Sequence, residues 1–197
     1  MNSYMDKVKI FEREIGYIKN PKYKENIQIL ISLLPDYFFE IPASSTGKYH
    51  PSFALGDGGL VRHTKVVVRM GYELLNNDCI GYSYTNAEKD MMLMAMILHD
   101  GCKSGIEKEK YTRFDHPLIV CELIKSHKEE LTLTENEINA LCNMIEAHMG
   151  QWTTDYNGNE VLPKPSNKYQ RFVHMCDFLA SRKFLDVTFD SNNNIVG

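Results

Sequence analysis

Along most of this chain, apolar residues recur at the three- and four-residue spacing that places them on one face of an α-helix. Tyr4, Val8, Phe11, Ile15 and Ile18 predict a first amphipathic helix. Asn20-Pro21 caps the start of a second, through Tyr23, Ile27, Leu30 and Leu34, which Pro35 stops. From Asp36 to Gly59 the rhythm gives way to a long loop rich in Pro, Gly and Ser, and loops of that length are functional or disordered. Residues 60–75 predict a third helix, with His63, Val67, Met70 and Leu74 on one face. After a turn region over 76–86 comes a central helix whose apolar run, Met91 to Leu98, is unbroken. A loop over 103–113 leads to Asp115-His116-Pro117, where the proline marks a helix start with His116 as N-cap and Ile119, Val120, Leu123 and Ile124 facing inward. Thr134-x-x-Glu137 is a capping box, and the helix it opens puts Ile138, Leu141, Ile145 and His148 on one face. Residues 150–165 are irregular, with an Asn157-Gly158 turn suited to a small hairpin. A last helix over 166–184 carries Val173, Asp177, Ala180 and Phe184 inward, and 186–197 form a polar tail or an edge hairpin. The fold class expected is therefore all-α, a helical bundle with long functional loops.

Polar residues at the inner ends of these apolar stripes change the picture. The central run delivers His99 and Asp100 side by side, and a buried helix end must give such groups partners. His63 and His148 sit on buried stripes, His116 stands at a helix start, and Asp177 lies in an otherwise apolar row. Each alone reads as a satisfied core residue. Four imidazoles and two carboxylates directed at one core are hard to satisfy without a metal. Six ligands also exceed what one tetrahedral ion needs, which suggests two divalent ions sharing a carboxylate. Mixed nitrogen and oxygen donors favour Mn, Fe, Ni, Co or Zn over Mg or Ca.

Composition narrows the classes. A net charge of −4 argues against a protein built mainly for the nucleic-acid backbone. The five cysteines are odd in number, widely spaced and free of any C-x-x-C, so they read as reduced core residues. The charged N-terminus shows no secretory h-region, and no apolar run approaches the ~20 residues that span a bilayer. A cytoplasmic protein is expected. Gly47-Lys48 is no phosphate-binding P-loop, because the upstream glycine is missing and Tyr49 replaces the hydroxyl residue. Lys48 and His50 either face a ligand or belong to a plain surface loop. Arg62, Lys65 and Arg69 form a basic edge that reads as solvated first; Arg62, beside His63, is kept among the substrate contacts. Trp152 and Tyr156, just after His148, either stack on a base or pack the loop, with Lys164, Lys168 or Arg171 available to phosphates.

His63, His99-Asp100 and Asp177 resemble the H…HD…D pattern of the HD-domain metal-dependent phosphohydrolases, and Lys103 resembles the lysine of that family's H-D-x-x-K form. His116 and His148 resemble the extra ligands of the dinuclear subset, such as the HD-GYP phosphodiesterases. Gly58-Gly59-Leu60-Val61-Arg62-His63-Thr64 is similar to the first-histidine segment of HD-type exoribonucleases and relaxase-associated domains. The resemblance implies an HD-type core over 58–185. N-terminal helices and a substrate-side loop, 1–57, would pack on it within one domain, with 186–197 as a tail. It implies that His63, His99, Asp100 and Asp177 hold one ion, while Asp100 bridges to a second held by His116 and His148. The activity implied is hydrolysis of a phosphoester or phosphoanhydride in a nucleotide or short oligonucleotide, with Asp100 and Lys103 catalytic. The alternatives are a di-iron oxygenase on the same ligand set and a non-catalytic regulatory module.

Overall fold

Helix α6, Asn86–Leu98, lies at the centre of the molecule, and every residue from Asp90 to Leu98 is buried. In this computed structural model the described residues are 4–44, 46–48, 50–186, 188–191 and 195–196. Tyr49 of the loop, and 187, 192–194 and 197 of the tail, lie outside them. The elements are helical apart from a two-residue antiparallel pairing, Thr188–Phe189 with Ile195–Val196. The architecture is all-α.

The first predicted helix is two: α1 (Tyr4–Ile10) and α2 (Glu12–Tyr17), broken at Phe11. The apolar rhythm runs through the break because both pieces cover the same core, where Phe11 is fully buried against Phe38 and Phe39. Helix α3 (Pro21–Leu33) is capped by Asn20, whose side chain accepts from the amide of Lys22. The buried Asp90 of α6 accepts from the amides of Lys19 and Asn20 at 3.0 and 2.8 Å, which fixes α3 to the central helix. The Pro/Gly/Ser loop is more ordered than its composition suggests. It contains 3-10 turns at Asp36–Phe39 and Ser52–Ala54, and Tyr37, Phe38 and Phe39 are buried.

Helix α4 (Gly59–Asn76) starts from Gly58 in the left-handed region, and α5 (Asp78–Gly81) fills the expected turn. The buried face of α4 runs through Leu60, Thr64, Val67, Val68, Gly71 and Leu75, with Met70 and Leu74 only half-buried. Gly71 explains that rotation. A Cβ there would stand 2.4 Å from the Met96 sulfur, so α4 and α6 meet at a glycine that no hydrophobic pattern registers. Helix α7 (His116–Ser126) begins one residue earlier than expected: Asp115 is the N-cap, and His116 is already helical. Helix α8 (Glu135–Glu146) has the predicted Thr134–Glu137 capping box. Helix α9 (Lys168–Ala180) is shorter than expected at both ends. Asn167 caps its start, and Phe184 is not on an inner face but half-exposed in the turn Lys183–Leu185. Helices α3, α4, α8 and α9 pack around α6, and α7 packs on α8.

Candidate metal centre

The C-terminal end of α6 is where the polar residues gather. His63 comes from the second turn of α4, His99 and Asp100 from the end of α6, and His116 from the start of α7. His148 follows α8, and Asp177 lies in the last turn of α9. The four histidines and Asp100 are buried to within 3 % of complete, while the Asp177 side chain retains 18 % exposure. The site therefore opens on the Asp177 side.

Asp100 sits in the middle, and its two oxygens face different neighbours. Oδ2 lies 3.5 Å from His99 Nε2 and 3.9 Å from His63 Nε2. Oδ1 lies 2.9 Å from His116 Nε2 and 3.6 Å from His148 Nε2. Asp177 Oδ1 approaches His63 Nε2 at 3.0 Å and His99 Nε2 at 3.6 Å. Two overlapping groups, His63–His99–Asp177 and His99–Asp100–His148, have ligand atoms within 4.8 Å of one another.

Three of the rings are held in the same manner. His99, His116 and His148 each donate Nδ1–H to the carbonyl three residues back, of Met96, Arg113 and Ile145, at 2.7, 2.7 and 2.8 Å. A carbonyl can only accept, so Nδ1 carries the proton and Nε2 of a neutral ring presents its lone pair inward. This is how metal-ligating histidines are usually oriented. The consequence without an ion is awkward: the His116 and His148 Nε2 atoms face one another at 3.2 Å, and His99 Nε2 is buried without a hydrogen bond. A cation removes both conflicts, so the donor set fits divalent metal.

Charge agrees with that geometry. Burial alone would raise the Asp100 carboxyl, but Lys103 and the surrounding imidazoles hold it well below the usual carboxylate range. Asp177 is likewise held low against burial, by His63 and His99. Burial lowers His63 and His116, whereas at His99 the two carboxylates outweigh burial and raise it.

Around the cluster the expected residues divide. Lys103 reaches back to Asp100, with Nζ 2.5 Å from Oδ2. His50 packs edge-to-face on His63 with ring centroids 5.2 Å apart. Trp152 is 43 % exposed and stacks on Phe178, the neighbour of Asp177. Lys48 and Lys164 are exposed, and Tyr156 is fully exposed at the tip of the small hairpin that the Thr154–Glu160 bridge closes. Arg62 departs from its expected role. Its guanidinium donates to the carbonyls of Phe53, Asp57 and Leu55, so it braces the loop ahead of α4. Lys168 is likewise engaged elsewhere, with the carbonyl of Ser83.

Two supporting residues escaped sequence reasoning. Tyr37 accepts from the amide of Ser104 and donates to the carbonyl of Gly105, which braces the turn that presents Lys103. His174 donates Nδ1–H to the carbonyl of His148, and Gly150 gives its ring room, since a Cβ there would lie 2.0 Å from it. An aromatic inside a loop and a histidine three residues before Asp177 were the only available signals.

Compared with protein families, residues 60–181 match the HD domain, the span that carries all six clustered residues. The chain belongs to the HD domain family. HD domains bind divalent metals and are mostly metal-dependent hydrolases. Comparison with curated proteins gave no match, and neither did comparison with solved structures. Among the described residues, no helix of this HD protein is long and apolar enough to cross a membrane.

Proposed function

We propose that this HD protein is a phosphohydrolase that holds two divalent ions and cleaves a phosphoester or phosphoanhydride of a nucleotide or short oligonucleotide. The observation that carries the reading is Asp100: one carboxylate turns one oxygen to His63 and His99 and the other to His116 and His148. In this assignment His63, His99, Asp100 and Asp177 hold one ion, and His116 and His148 with Asp100 hold the other. Bound there, the ions supply Lewis-acid stabilisation of phosphoryl charge and lower the pKa of a water.

The chain's own residues supply the rest. Carbonyls three residues back fix the three rings, so little reorganisation remains when a ligand binds. Water provides the entering oxygen, the phosphorus–oxygen bond to the leaving group breaks, and Lys103 gives its proton or a hydrogen bond to the leaving or phosphoryl oxygen. Burial of the cluster excludes bulk water and strengthens each of these interactions. A nucleotide substrate is supported by the half-exposed Trp152, stacked on Phe178 beside Asp177, with the Arg182 guanidinium 4.3 Å over the same ring.

The test couples metal analysis with a substrate screen. Mn-loaded protein is expected to hold two ions per chain and release phosphate or nucleotide from one of a panel of nucleotides, cyclic dinucleotides and short oligonucleotides. Asp100→Ala should lose both ions and all turnover. A wild-type protein that never exceeds one ion per chain sinks the two-ion assignment. Oxygen consumption without phosphoester cleavage would assign it oxygenase chemistry instead.

A further inference from the structure

The loop ahead of α4 is fixed at many points for a segment so rich in Pro, Gly and Ser. The amide of Ala43 donates to the carbonyl of Ala54, that of Gly58 to Glu40, and that of Leu60 to Ile41. Arg62 gathers three carbonyls of residues 53–57, and Asp186, from beyond α9, accepts from the amide of Ser52 at 2.5 Å. Gly59 admits the closest approach, since a Cβ there would lie 2.2 Å from the Ala54 carbonyl oxygen. Bracing of this kind positions something.

What it positions is His50. The ring lies half-buried against His63, yet its Nδ1 is buried with no hydrogen-bond partner. Buried polar atoms without partners are rare in native proteins and mark a missing ligand, ion or water. Both His50 and His116 lie outside the two groups of potential metal ligands, but among the described residues His116 lies 2.9 Å from Asp100 whereas His50 has no ring nitrogen within 4.0 Å of a carboxylate. The charged groups that bear on it are the Lys103 ammonium and the Asp100 and Asp177 carboxylates, with the His63 ring beside them. With Nδ1 protonated, the missing partner is a hydrogen-bond acceptor, and a phosphoryl oxygen drawn to the Lys103 ammonium would supply one.

We propose that His50 is a substrate-contacting residue that donates a hydrogen bond from Nδ1 to a non-bridging oxygen of the phosphoryl group, alongside Lys103. This rests on the phosphohydrolase reading and adds to it a contact from outside the HD-matched span. The histidine is a holder of the oxyanion and is not a metal ligand.

Orthophosphate binding to Mn-loaded protein, measured by calorimetry, tests the contact without turnover. His50→Phe keeps an aromatic ring against His63 and removes the donor; His50→Asn puts an amide nitrogen near the place of Nδ1. His50→Phe is expected to keep the wild-type melting temperature and Mn content and to bind orthophosphate at least about tenfold more weakly. His50→Asn should recover most of that loss. Equal affinity in wild type and His50→Phe overturns the proposal, and so does loss of Mn from His50→Phe, which would make His50 a ligand. Should His50→Phe fail to fold, the comparison passes to His50→Leu, which also removes both ring nitrogens and predicts the same weakening. If wild type binds orthophosphate but cleaves neither p-nitrophenyl phosphate, its bis ester nor any nucleotide tested, the hydrolase reading fails and the contact stands. If wild type binds none, both fail.

Discussion

Lys103 has a carboxylate partner in Asp100, one that ions would also claim. Under the proposed function its ammonium would serve a substrate oxygen once metal takes up that carboxylate. Lys103→Met keeps the stem and removes the charge, so metal content and thermal stability should stay close to wild type. The kcat on the best phosphoester should fall about 10²-fold or more, the scale for one placed acid or electrostatic group. Near-wild-type turnover would make it a loop lysine. At this scale the sequence was informative about which residues converge, because His63, His148 and Asp177 lay in apolar stripes, His99-Asp100 ended an apolar run and His116 marked a helix start. It was silent about what holds them. The carbonyls of Met96, Arg113 and Ile145 belong to the backbone and leave no mark in side-chain pattern. Arg62, expected to contact substrate because it stands beside His63, has its guanidinium on the loop carbonyls of Phe53, Leu55 and Asp57, which side-chain pattern could not show.

Among the helices, α8 depends most visibly on one side chain outside the site. Glu137 accepts from the amide and hydroxyl of its own N-cap, Thr134, and also from Lys22 at 2.6 Å and Tyr23 at 2.9 Å. One carboxylate thus starts α8 and ties it to α3. Burial alone would raise this carboxyl, but Lys22, Thr134 and Tyr23 bring it down from 4.5 to about 2. Glu137→Ala should cost about 1–2 kcal/mol, from a lost cap and cross-helix hydrogen bonds, and lower the melting temperature by several degrees. A group with a depressed folded pKa stabilises above its unfolded value and loses that contribution as pH falls through the folded one. The melting-temperature gap between wild type and Glu137→Gln, measured in chelator, should therefore be full above pH 4.5 and close toward pH 2. The sequence revealed this capping box, but placed other helix ends less well. His116 falls inside α7 because proline is tolerated throughout a first turn, and the break at Phe11 is hidden by an apolar rhythm that continues across it.

Across the whole molecule, the distance between His63 and His99 depends on how closely α4 and α6 approach, and Gly71 is one place where they pack tightly, against Met96. The Met96 sulfur that touches it belongs to a flexible side chain, so Gly71→Ala should be tolerated. Gly71→Val adds branched volume that the methionine cannot yield to. It should cost about 1–3 kcal/mol by overpacking and reduce Mn occupancy together with stability. Retained metal at wild-type affinity would show that α4 can shift without disturbing the centre. The all-α architecture was legible because helical periodicity is strong in most segments. The close α4–α6 contact was not, since it depends on an absent side chain.

The buried methionines of α6 carry a consequence of a different kind. Met91, Met92, Met94 and Met96 are all at least 94 % buried, and Met96 supplies the carbonyl that orients His99. Thioethers fill such a core adaptably, but they are also the first apolar side chains to be oxidised, and a sulfoxide is polar and bulkier. With iron at the centre, peroxide would generate oxidants within the core itself. With Mn or Zn it would attack from solvent, where Met5 and Met175 are exposed. Peptide mapping after mild peroxide treatment should then find sulfoxide first at Met96 in the iron-loaded protein and first at Met5 in the zinc-loaded one. The choice of ion would decide how long the fold survives peroxide.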